Sequence, residues 1–312
     1  MIQNVAVLIG MLVLSMVCQS PARGDNLPDR GLERFVVQSE QSGVGYEVVL
    51  ARSAITGDSD KPLPLLVVLD GFLLGMTAIE TARLLTSAGE IEPIVIATIS
   101  ADGPFALRTA RRGPDFSADV EDFRSQSSIK GILPQLDAAG VKPEQAFGHS
   151  DGYRTLLSKI LLPEITRRVA VDGDHQALFG HSAAGAFVLE ALLVGDLPFQ
   201  TYIAGEPGTF MLFGTESALL KQAAQHPSLP GQRLLYADSS DTMSSSSKHL
   251  FESEELLKSM RKDLGLQVEA RRYEGETHTT MIPLFIKDSL LALYGTGQTY
   301  SKSFAQRMGI DD

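Results

Sequence analysis

The chain has 312 residues, 44% of them hydrophobic and 21% charged, with a formal net charge of −11. That length and apolar content suffice for a large buried core in one α/β domain, and they exclude a chain that is disordered throughout. The acidic balance argues against nucleic acid or an anionic membrane as a main partner, since both are bound through basic patches.

At the amino end, Val5 to Val17 form an apolar run too short to span a bilayer comfortably, and it leads into Cys18-Gln-Ser-Pro-Ala-Arg-Gly24 with small residues at 22 and 24. We read residues 1–24 as a signal peptide cleaved near Asp25. The mature protein is then periplasmic or secreted, without stable membrane insertion. The start, Met1-Ile-Gln-Asn4, departs from the usual signal in having no Lys or Arg. Cleavage removes Cys18, the only cysteine, and with it any disulfide, thiol nucleophile or Cys-based metal site. Residues 25–312 read as a single domain.

Glu33–Gln38 and Tyr46–Ala51 alternate around Ser42-Gly43 as an antiparallel hairpin, and Pro64–Leu69 is apolar enough for a buried central strand. Asp70-Gly71-Phe72 ends that strand, where an open α/β sheet builds its site. The N–H of Phe72 is accordingly one candidate oxyanion donor. A helix over Met76–Gly89 and a strand over Pro93–Thr98 follow. From about 100 to 150 the periodicity fades, and Gly and Pro breaks predict an irregular insertion bordering the site, with Arg112 and Asp115 as a candidate ion pair. Leu and Ile at 156, 157, 160, 161 and 165 then form a helical stripe.

Gln176–Gly185 carries the chemistry. A short apolar strand enters Gly180-His-Ser-Ala-Ala-Gly185 and a helix of small apolar residues leaves it, the context of a nucleophile elbow. Ser182 is the candidate nucleophile and the N–H of Ala183 the second oxyanion donor. Ala184 departs from the G-x-S-x-G pattern. Gly148-His-Ser-Asp-Gly152 fits that pattern better, but a charged, Pro-broken segment precedes it, so Ser150 is a decoy.

Beyond the elbow, Phe199–Ala204 and Arg233–Ala237 read as strands, the first broken by Glu206-Pro-Gly208. A serine hydroxyl needs a base and an orienting acid, which in α/β-hydrolases arrive in the order Ser, Asp or Glu, His. Asp241, with Asp238 as the alternative, leaves the Arg233–Ala237 strand, and His278 follows the strand at Gln267–Tyr273. Together these elements predict an α/β-hydrolase fold, a mostly parallel central sheet with helices on both faces. The six histidines make no metal-ligand cluster with spaced Asp, Glu or Cys, so neither a metal nor a cofactor is expected.

Leu69-Asp-Gly-Phe72, Arg112-Gly-Pro-Asp-Phe116, Leu162-Pro-Glu-Ile165, Gly180-His-Ser182 and Gly275-Glu-Thr-His278 recur in that order in the esterase D-like group of α/β-hydrolases, which the chain resembles over about residues 33–294. That group includes S-formylglutathione hydrolases, siderophore trilactone esterases, acetylxylan and feruloyl esterases and mycolyl transferases. The resemblance implies a serine esterase acting on a small-molecule ester through an acyl-enzyme, with Ser182 as nucleophile, His278 as base and Phe72 and Ala183 as oxyanion donors. The departures are Ala184, Asp238-Ser-Ser-Asp241 where the group often has Gly-x-x-Glu, and Gly205-Glu-Pro-Gly208 in place of a Ser-Pro-Ser-Leu-Trp-like run. An acyltransferase of the same fold, or a binding protein that keeps the fold without activity, are the alternatives.

Overall fold

The computed structural model describes residues 31–40, 42–54, 61–225, 231–241 and 247–299; the expected signal segment and Cys18 lie outside them. Eight strands form one sheet: β1 (Leu32–Gln38), β2 (Gly45–Arg52), β3 (Leu63–Leu69), β4 (Val95–Ala101), β5 (Val171–His181), β6 (Thr201–Gly205), β7 (Arg233–Asp241) and β8 (Gln267–Thr277). Their spatial order is β1-β2-β4-β3-β5-β6-β7-β8. The hairpin of β1 and β2 and the β2–β4 pair are antiparallel, and every pair from β4 to β8 is parallel.

Five longer helices cover it: α1 (Gly71–Ala88), α2 (Phe105–Phe116), α3 (Ala183–Val194), α4 (Ser247–Asp263) and α5 (Met281–Tyr294). Successive side chains of a strand point to opposite faces, so the central strands must be apolar on both. Leu65, Val67 and Leu69 of β3 accordingly join a core with α2, α3 and α4, whereas Leu66 and Val68 join a second core with α1 and α5. Helix α3 is buried all round, from Ala183 to Leu193, and is apolar on every side except at Glu190.

Several sequence expectations change. Helix α1 starts at Gly71, directly after the β3 turn, and β4 runs to Ala101. The stretch expected to be irregular contains the twelve-residue α2. Its inner side carries charge pairs where an apolar stripe would have signalled a helix: Arg111 bonds Asp115, and Arg112 Nε donates to Asp70 Oδ2 at 2.9 Å, so Arg112 does not pair with Asp115. Strand β7 continues to Asp241, which is paired with Thr277, so Asp238 and Asp241 sit within a strand and not in a loop after it.

Close approach of β5 and α3 depends on glycine. A Cβ at Gly180 would meet Ala184 O at 2.3 Å, and one at Gly185 would meet Gly205 O at 3.0 Å and Pro207 Cα at 3.1 Å. The contact that demands glycine after the elbow falls at 185, which is why Ala184 is tolerated. Gly180→Ala should therefore lower stability by about 1–3 kcal/mol, seen as a fall in Tm of several degrees. Gly173→Ala, in the same strand with nothing within 4 Å, should leave Tm unchanged within error.

Candidate active site

Four non-glycine residues among those described have a positive φ, and three of them follow strands adjacent in the sheet: Asp70 (φ 54) after β3, Ser182 (φ 60) after β5 and Glu206 (φ 34) after β6. Each such conformation costs on the order of 1–3 kcal/mol and persists only where surrounding bonds dictate it. A cluster of them on one sheet edge marks the site.

Ser182, at φ 60 and ψ −120, turns the chain from β5 into α3. Its N–H donates to Gly205 O at 2.9 Å, and its own carbonyl accepts from Gly208 N–H at 2.9 Å and Ala186 N–H at 3.0 Å. The elbow is thus fastened on both sides of the serine, which stays partly exposed. Ala183 is the first residue of α3 and Phe72 the second of α1, so neither N–H has an acceptor within its own helix. Because β3 and β5 are neighbours, these two helix starts lie side by side next to Ser182.

Asp70 holds the β3 turn. Its carbonyl accepts from Leu73 N–H at 2.8 Å and Leu74 N–H at 3.0 Å, and its carboxylate from Arg112. Burial raises the Asp70 carboxyl above its ordinary pKa and Arg112 opposes the shift. Arg111 and two bonds of 2.9 Å from the Tyr46 hydroxyl hold Asp115 nearby, yet burial still lifts its pKa to about 6.

His278 follows β8 directly. Its Nδ1 lies 3.1 Å from Glu206 Oε1, an ion-pair distance at which the ring N–H is not yet aligned for a hydrogen bond. Its ring centroid is 4.5 Å from that of His181, the residue before the candidate nucleophile. Glu206 Oε2 accepts from the Ser239 hydroxyl at 2.7 Å and from Ser239 N–H at 3.3 Å, and Glu206 N–H donates to Ala237 O at 2.6 Å. Burial pushes the Glu206 carboxyl up, but His278 and Ser239 outweigh it and bring the pKa below the ordinary glutamate value. His181 is buried with no hydrogen bond at either ring nitrogen, and its pKa falls to about 3 through burial first and His278 second.

Among the described side chains, the carboxylate beside His278 is Glu206, a residue the sequence analysis did not single out as an acid. Asp238 turns to the Tyr236 hydroxyl at 3.0 Å, and burial raises its pKa to about 6. Asp241 is fixed by its strand pairing with Thr277, and its side chain lies outside those described. The signal that could have found Glu206 is position: it follows the strand next to the nucleophile strand, in a Gly-Glu-Pro-Gly turn that forces the backbone into an unusual conformation. Ser150 is fully buried, donating to Glu190 Oε1 at 2.8 Å, and that oxygen also accepts from Arg154 Nη1 at 2.6 Å. This network has no opening to a substrate. Among the described residues, no group of three or more His, Cys, Asp or Glu is placed to hold a metal ion, and no helix is long and apolar enough to cross a membrane.

No protein-family model matches the chain. It is 27% identical over 279 residues to the ferri-bacillibactin esterase BesA of Bacillus subtilis, covering 86% of this chain and 91% of that protein. It is 31% identical over 157 residues to the siderophore enterobactin esterase of Emericella nidulans, covering 49% of this chain and 48% of that one. Among solved structures, the BES protein from Bacillus cereus superposes with a TM-score of 0.69 at 20% identity, covering 86% of this chain and 98% of that one.

Asp238 supplies a pH test. A carboxyl whose folded pKa is raised binds more protons folded than unfolded between about pH 4 and 6, so stability falls as pH rises through that window. Asp238→Asn should remove part of that fall and raise stability at pH 7 by on the order of 2 kcal/mol relative to pH 4, measured by urea unfolding at the two pH values.

In sheet order and strained strand ends the chain has the α/β-hydrolase fold, and in sequence it is similar to two siderophore esterases.

Proposed function

We propose that the protein hydrolyses a carboxylic ester in two acyl-transfer steps, with Ser182 as nucleophile, His278 as base and Glu206 as the acid that orients it. The observation that carries this reading is the convergence of Glu206, His278 and the strained Ser182 turn on one sheet edge. His278 takes the Ser182 proton as the hydroxyl attacks the ester carbonyl. The Phe72 and Ala183 N–H groups receive the negative charge that develops on the carbonyl oxygen, and His278 then returns the proton to the leaving alcohol. Water, deprotonated by the same imidazole, releases the acid and restores Ser182. Glu206 holds the Nδ1–H tautomer and stabilises the imidazolium; its depressed pKa keeps it ionised for that task. Strain at Ser182 and Glu206 supports the reading, because it fixes both groups before substrate arrives.

The relatives' names point to siderophore esters, and the signal segment would put the enzyme outside the cytoplasm, where such esters are met. The curated relatives are esterases, which favours water as the acyl acceptor over a second alcohol.

Ser182→Ala should lower kcat on p-nitrophenyl acetate by on the order of 10⁴-fold or more, whereas Ser150→Ala should retain turnover in whatever fraction folds. A fluorophosphonate should label Ser182 alone, and labelling at Ser150 would overturn the assignment. Glu206→Gln should cost about 10²–10⁴ in kcat with little change in KM, because glutamine keeps the size but favours the wrong imidazole tautomer. A larger loss in a variant of Asp238 or Asp241 would return the acid's role to β7.

A further inference from the structure

His181 breaks the pattern of its own strand. Along β5, Ala177 and Phe179 point into the apolar core beneath α1 and α5, and His181 is the next side chain in that row. An imidazole stands where the alternation calls for an apolar residue. It is 5% exposed, and neither ring nitrogen has a hydrogen-bond partner. A buried nitrogen left without a partner lowers stability, so an apolar ring of similar size would fill the space better.

What touches the ring gives it a role. His181 Nδ1 and Phe285 of α5 both press on the end of β6, where a Cβ at Gly205 would meet each at 2.9 Å. The same ring packs against the His278 imidazole, with centroids 4.5 Å apart and planes inclined by 44°. His278 is the first residue beyond the sheet, since the pairing of β7 with β8 ends at Asp241 and Thr277. Its turn closes on itself: Thr277 N–H donates to Thr280 Oγ1 at 2.8 Å, and Thr280 N–H donates to Thr277 Oγ1 at 3.2 Å. The His278 main chain also comes close enough to His181 to favour a proton on its ring, though neither ring nitrogen is aligned for a bond. His278 Nδ1 and Glu206 Oε1, at 3.1 Å, miss alignment in the same way. Hydrogen bonds of a catalytic site commonly align only in the substrate complex.

We propose that His181 is a positioning residue for His278: its ring face and ring N–H hold the imidazole and the turn that carries it, so that Nδ1 stays on Glu206 while Nε2 serves Ser182. The proposal rests on the esterase reading and adds a further residue to it. His181 takes no part in the proton transfers; it decides how often the imidazole is in place to make them.

His181→Phe separates the two uses of the ring. Phenylalanine fills the space, continues the row of Phe179 and removes the unpartnered nitrogens, so Tm should stay the same or rise. On p-nitrophenyl acetate, kcat should nevertheless fall on the order of tenfold or more, with KM within about twofold of wild type. A residue that merely fills the core predicts an unchanged kcat, and that result would overturn the proposal. His175→Phe, at the exposed start of β5, should leave kcat unchanged. If the phenylalanine variant does not fold, His181→Gln, which keeps an N–H donor, should retain a higher kcat than His181→Leu, and an equal or opposite order would overturn the proposal. Nitrogen NMR shifts of the His278 ring give a readout that needs no turnover. Wild type should hold the Nδ1–H tautomer, and His181→Phe should lose part of it to the Nε2–H form; an unchanged tautomer would reject the hold on His278. If wild type hydrolyses no ester, the esterase reading fails, and the tautomer alone decides whether His181 positions His278.

Discussion

The fastening of the β5 end to the β6 end is the constraint on which the rest of this site depends. Ser182 donates to Gly205 O and accepts from Gly208 N–H, so the Ser182 turn and the next strand's exit are one hydrogen-bonded unit. Gly185 lets α3 start against that unit, because any Cβ there would press on Gly205 O and Pro207. A strained serine is unfavourable in isolation. Here both of its backbone groups are paired and the flanking helix is fully buried, so relaxing the turn would forfeit more than it relieves.

That unit also places the carboxylate we propose as the acid. Glu206 lies between the two bonds that tie β6 to the elbow, and its own N–H is tied to Ala237 of β7. Its carboxylate is left facing His278 on one oxygen and Ser239 on the other. The electrostatic consequences agree with the geometry. Glu206 is the buried carboxyl here that is drawn below its ordinary pKa, whereas at Asp70, Asp115 and Asp238 burial outweighs the partners and pushes the carboxyl up. His181 is kept neutral, so the ring packed against His278 brings no second positive charge when His278 is protonated.

Much of this was legible in the sequence where local pattern decides structure. The apolar runs of β3 and β5, the small residues around Ser182 and the histidine after the last strand each report the fold without knowledge of their neighbours. Ser150 could be set aside for the same reason, since no strand precedes it. The acid could not be read this way. Glu206-Pro207 looks like a strand breaker, and the aspartates after Ala237 look like a loop, because whether β7 continues depends on β8 pairing with it as far as Asp241 and Thr277. Helix α2 was hidden by its charges: Arg111, Arg112 and Asp115 find partners on β2, on the β3 turn and within the helix, and a pattern built on hydrophobicity does not see them.

The central claim is that His278 and Glu206 act on Ser182 as one unit, and a double-mutant cycle in kcat tests it most directly. If the claim holds, Glu206→Gln combined with His278→Ala turns over no more slowly than His278→Ala alone, because an orienting acid has no task once its imidazole is gone. If the losses of the two single variants multiply in the double variant, Glu206 acts through something other than His278, and the account of this site is wrong.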